Sequence, residues 1–101
     1  MKTTITMPLL LASLAASQAI SVKLCSDANL SGTCRTYTVR DNVCWNAPAS
    51  QNNKVSSLDT LGAHCIFYQG TSCRGPSFAA VGKKLRIPAN FNDKISSIKC
   101  T

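Results

Sequence analysis

The sequence predicts an all-β fold, a sandwich of two four-stranded Greek keys held together by disulfides. Three observations predict it. The stretch Asn52-Asn53-Lys54-Val55-Ser56-Ser57-Leu58 returns 40 residues later as Asn92-Asp93-Lys94-Ile95-Ser96-Ser97-Ile98. A hairpin-like stretch precedes each copy, from Cys25 to Gly32 and from Tyr68 to Gly75, offset by 43 residues. Two elements recurring in one order, with a small drift between them, mark two copies of one supersecondary unit. The second observation is a run of short alternating stretches broken by turn residues, with little helical periodicity. The third is six cysteines, all beyond an N-terminal leader.

The leader comes first along the chain. Met1-Lys2, the apolar run around Pro8-Leu9-Leu10-Leu11-Ala12 and the small residues Ser17-Gln18-Ala19 have the charged, greasy and small-residue parts of a secretory signal peptide. Residues 1–19 are therefore expected to be removed and the product secreted. Residues 20–101 then form a single domain, with a first key at about 21–61 and a second at about 62–101. No other stretch reaches the roughly 20 apolar residues of a membrane span. A core of this size is marginal without covalent staples. An even cysteine count in an oxidising compartment reads as three disulfides among Cys25, Cys34, Cys44, Cys65, Cys73 and Cys100. Six cysteines allow about 15 pairings. The favoured bridge joins Cys65, opening one strand, to Cys100, closing its neighbour. Zinc is disfavoured, because no Cys-x-x-Cys pair occurs and His64 stands alone.

The first key opens with Val22 to Cys25 and continues with Thr33 to Val39, where Arg35 and Tyr37 share one face and Cys34, Thr36 and Thr38 the other. Cys44 to Gln51 is turn-rich and expected to be looped, and Val55 to Thr60 closes the key. In the second, Cys65 to Tyr68 and Ser77 to Val81 form the hairpin, Lys84 to Ile87 the third strand and Ile95 to Cys100 the fourth. Two such units bury their apolar faces best against each other. On that pattern Leu58 and Thr60 point one way together, as do Ile98 and Cys100.

The charge is lopsided. Eleven lysines and arginines stand against four acids, Asp27, Asp41, Asp59 and Asp93, for a formal charge of +7, or +6 once Lys2 leaves with the leader. Such a surface attracts polyanions, with a strength that salt weakens, and it equally serves solubility alone. The expected partners are an anionic cell-wall polysaccharide or a membrane surface, with no specific nucleic acid, for a protein acting as a monomer. Lys83, Lys84 and Arg86 are candidates for a cationic patch, although lysine guarding a strand edge explains the same residues. Trp45, beside Cys44, could stack on a sugar or pack on a disulfide. Asn29-Leu30-Ser31 is a glycosylation sequon. Catalysis is not expected: a nucleophile needs a positioned base, and the single histidine adjoins a cysteine.

The repeated stretches carry the chemistry. Asn, Asp, Ser and backbone carbonyls are the hard oxygen ligands that calcium takes. The same residue types also close turns through side-chain hydrogen bonds without any metal. Two Asn or Asp residues, two variable ones, then Ser or Thr and Ser make up the pattern that 52–57 and 92–97 share, and in this the chain resembles the microbial βγ-crystallins. Their hairpin signature, an aromatic followed seven residues later by glycine, is matched by Tyr68 and Gly75; in the first unit Cys25 stands in place of the aromatic. The resemblance spans essentially the whole mature chain.

The resemblance implies two calcium sites shared between the units. One would use Asn53, the carbonyl of Lys54 and Ser96; the other Asp93, the carbonyl of Lys94 and Ser56. A hairpin carbonyl would complete each shell, and Ser57 and Ser97 would tie down the hairpin folded over them. Only Asp93 brings a carboxylate, so Ca2+ is expected to bind weakly, on the order of 10⁻⁴ to 10⁻³ M. The resemblance also implies a non-catalytic extracellular or wall-associated module. Small basic relatives that look like this include killer toxins and a protease inhibitor, so the alternative is a cationic antimicrobial or effector acting on a competitor or host.

Overall fold

A computed structural model describes residues 18–101. Residues 1–17, most of the expected signal peptide, lie outside the described residues. The described chain is all β: β1 (Ala19–Asp27), β2 (Ser31–Arg40), β3 (Trp45–Asn46), β4 (Ser57–Tyr68), β5 (Ser77–Lys84) and β6 (Ser97–Cys100). They pair antiparallel in the order β2-β1-β4-β6-β3, with β5 on β4.

One strand spans both repeats. The expected strands Val55–Thr60 and Cys65–Tyr68 are joined in β4, whose first residues pair with β1 and whose last pair with β6. A crease divides it. Leu61 and Gly62 take left-handed backbone (φ 56° and 99°), and the facing Gly82 of β5 does likewise (φ 83°). Thr60 pins the crease, because its hydroxyl donates to the Ala63 carbonyl at 2.6 Å and accepts the Gly82 N–H at 2.6 Å. The sheet therefore folds over, and both halves supply one core: Val22, Leu24 and Leu58 from one, Phe67, Cys65, Ile98 and Cys100 from the other. Leu58 and Thr60 are both buried, as are Ile98 and Cys100, but so are Ser57, Asp59 and Ser97, so both faces of the strands are covered here.

Two expectations about third strands need correction. Cys44–Gln51 is not wholly looped, since Trp45 and Asn46 pair with Ile98 and Ser97 of β6. Lys84–Ile87 is not a separate strand; β5 runs unbroken to Lys84, placing Lys83 and Lys84 opposite Asp59 and Leu58, and the chain turns away at Leu85. Each repeat's third segment thus pairs with the closing strand of the other repeat. Such short segments show no alternation of their own, so only the partner's open edge reveals them.

All six cysteines are bridged: Cys25–Cys34, Cys44–Cys73 and Cys65–Cys100. Cys25 and Cys34 are directly opposed across the first hairpin, so a covalent cross-strand link occupies the place of the missing aromatic. In the second repeat Phe67 stacks on Phe78 and Phe78 meets Phe91 edge-on, with centroids 5.2 and 4.9 Å apart.

Candidate metal centre

The polar corners are built alike. In each, a proline carbonyl (Pro48 or Pro88) accepts two successive N–H groups, from Gln51 and Asn52 or from Phe91 and Asn92. The next residue, Asn53 or Asp93, then turns left-handed, with φ of 60° and 58°. Asn and Asp tolerate that conformation better than other side chains, a local reason for their presence independent of any ligand. The N–H of Asn53 donates to Ile95 O at 3.1 Å, and that of Asp93 to Val55 O at 3.0 Å, so each corner is stitched to the other.

Side chains repeat the exchange. The Ser56 hydroxyl donates to Asp93 Oδ1 at 3.1 Å, and the Ser96 hydroxyl to Asn53 Oδ1 at 3.2 Å. Two side-chain pairs result, Asn53 with Ser96 and Asp93 with Ser56, and Lys54 and Lys94 follow the Asn and the Asp in the chain. Asn53, Asp93, Lys54 and Lys94 are exposed, Ser56 is half-buried and Ser96 is buried. Ser57 and Ser97 do something else. Ser57 accepts the Leu30 N–H at 2.9 Å and donates to the Asp27 carbonyl; Ser97 accepts the Cys73 N–H at 2.9 Å and donates to the Gly70 carbonyl at 2.6 Å. Each hydroxyl thereby holds the tip of its hairpin, where Asn29-Leu30 and Ser72-Cys73 are left-handed pairs.

The donor set suits a hard divalent cation. Around calcium, oxygens stand about 2.3–2.6 Å from the ion, which puts neighbouring ligands roughly 3 Å apart. The Ser–Asp and Ser–Asn oxygens already have that spacing. Calcium would draw on the Asn53 amide or Asp93 carboxylate oxygen, the serine hydroxyl and the Lys54 or Lys94 carbonyl, cross-linking the repeats. A softer metal finds less, because among the described residues no three His, Cys, Asp or Glu cluster. Asn52 Oδ1, at the head of the first corner, is buried without a donor among the described residues.

The cationic candidates do not share a face. Lys83 and Lys84 are consecutive on β5 and leave opposite sides of the strand. Lys83 lies in a cross-strand row with Asp59 and Lys23, so an acid separates two cations there. Arg86 instead lines an open cleft of about 520 Å³ that also includes Asp27, Ser56 and Asn92.

A creased antiparallel sheet with two reciprocal Asn/Asp–Ser corners defines a class of small two-repeat β module. No protein-family model matches this chain, and no curated protein does. Solved structures do. A βγ-crystallin domain from Flavobacterium johnsoniae is 26% identical, with a TM-score of 0.67 over 79% of this chain and 92% of that one. The Ca2+-bound βγ-crystallin domain of Abundant Perithecial Protein from Neurospora crassa is 19% identical, with a TM-score of 0.65 over 81% and 88%. A βγ crystallin from Ciona intestinalis is 20% identical, with a TM-score of 0.65 over 80% and 99%. The chain has the βγ-crystallin fold.

Proposed function

We propose that this protein is a secreted, non-catalytic βγ-crystallin module that binds two calcium ions weakly between its repeats. The observation that carries the reading is the reciprocal pair of contacts, Ser56 to Asp93 and Ser96 to Asn53. Three disulfides and no free cysteine among the described residues support an oxidising, extracellular destination. The cationic antimicrobial reading draws less support, because Lys83 and Lys84 diverge.

Calcium titration of the purified, oxidised protein tests the proposal. A ligand bound only by the folded state raises its stability. Trp45 is a natural reporter: it is half-buried, meets Tyr37 at a tilt with ring centroids 4.8 Å apart, and lies two residues before Ala47, whose N–H bonds the Ser96 carbonyl. Its fluorescence and the melting temperature should shift together and saturate in the millimolar range. No change in either at about 10 mM calcium would remove calcium binding as a function.

A further inference from the structure

The hydrogen bonds pair the repeats residue by residue, with an offset of 43 in the hairpins and 40 in the corners. At one place the two copies differ in kind. The second repeat sets Gln69, Pro76, Phe78, Asn90 and Phe91 where the first has Ser26, Thr33, Arg35, Ser50 and Gln51. In the second the space is filled: Gln69 Nε2 donates to the Asn90 carbonyl at 2.9 Å, and Phe78 meets Phe91 edge-on at 4.9 Å. In the first it is open, a cavity of about 210 Å³ lined by Ser26, Thr33, Arg35, Ser50, Gln51 and Lys54.

Each of the six lining side chains carries a hydrogen-bond donor, on walls that are largely aliphatic. Arg35 and Lys54 are cations, and no carboxylate lines the cavity. Ser26 Oγ accepts the Thr33 N–H at 2.9 Å and retains its O–H as a donor. Gln51 is 3% exposed and uses Oε1 to accept the Tyr37 hydroxyl at 3.0 Å, so its NH2 group is directed elsewhere. Asp27, next to Ser26 in the chain, lines the other cleft, yet its carboxylate and the Ser26 hydroxyl both crowd Gly32, each 2.5 Å from where a Cβ there would sit. The volume is below the roughly 300 Å³ at which sites for larger ligands begin. It has room for one compact group.

We infer that this cavity binds a dianionic oxyanion, a phosphate or sulfate group, free or as the ester of a sugar. An arginine fork beside a lysine, with hydroxyl and amide donors around them, is the chemistry that recognises such a group. The polar set of the first repeat stands where the second has an aromatic plug. It does not depend on calcium.

The test is an NMR titration of the full oxidised protein in calcium-free chloride buffer, following the Arg35 Nε–H and Gln51 side-chain amide signals. Inorganic phosphate, inorganic sulfate and glucose 6-phosphate are the probes, and they separate the free ions from the sugar ester. At least one should give saturable shifts. Arg35→Gln and Lys54→Gln should each weaken binding by about ten-fold or more, the loss expected for a charge-assisted hydrogen bond. Lys83→Gln removes the same charge elsewhere and should change it by less than about two-fold. Ser26→Gln, which installs the second repeat's own filling residue, should abolish the shifts while the spectrum stays dispersed. No saturable shift with any probe up to about 50 mM would overturn the inference, as would equal weakening by Lys83→Gln and Arg35→Gln. Intact binding in Ser26→Gln would overturn it too.

Discussion

The hydroxyl of Ser56 donates to the carboxylate of Asp93 at 3.1 Å, joining corners 37 residues apart in the chain. The contact is half exposed, so water replaces much of what it provides. Ser56→Ala should therefore lower stability in calcium-free buffer by no more than about 1 kcal/mol. Calcium is a different matter, since the same change removes a ligand. The calcium-dependent rise in melting temperature should shrink in Ser56→Ala and in Ser96→Ala, and vanish in the double variant.

Charge should rank the two sites. Asn53→Asp gives the first corner the carboxylate that the second already has, at an equal left-handed φ of about 60°. It should tighten calcium about ten-fold by calorimetry and leave calcium-free stability nearly unchanged. Asp93→Ala should weaken calcium and also cost about 1–2 kcal/mol without it, because alanine lacks the tolerance of Asp and Asn for that backbone. A fall in calcium affinity for Asn53→Asp would contradict the assignment of Asn53 as a ligand.

Ser57 and Ser97 should behave as stability residues. Both are fully buried, and each satisfies one N–H and one carbonyl of a hairpin tip. Ser97→Ala strands the Cys73 N–H and the Gly70 carbonyl, which should cost about 2–4 kcal/mol, or roughly 10–20 °C of melting temperature in a domain this small. Calcium binding measured well below that transition should persist. Denaturant unfolding gives the first number and calorimetry the second.

The three bridges should differ in worth. Cys65–Cys100 closes a separation of 35 residues and Cys25–Cys34 only nine. Chain entropy alone assigns them about 4 and about 2.5 kcal/mol. Cys65 and Cys100 are also core residues, so the paired alanine variant loses packing in addition. Chemical unfolding of the two double variants should rank them in that order.

The sequence by itself determined the things that are local or repeated. Left-handed turns select Asn and Asp, strands alternate with a period of two, and a duplicated unit writes its corners twice. From these the all-β class and the two Asn/Asp–Ser corners were legible, while the hairpin-tying duty of Ser57 and Ser97 came only through the resemblance. The tertiary structure alone decided the rest. Trp45-Asn46 and Lys83-Lys84 became strands only because the opposite repeat offered an unpaired edge. The bridge Cys25–Cys34 follows from the register of the first hairpin, and Cys44–Cys73 joins the segment beside Trp45 to the tip of the second hairpin. The cavity beneath Arg35 was hidden because no single residue marks it: a space exists where several side chains fail to fill it, and that depends on their joint volume, not on any local preference.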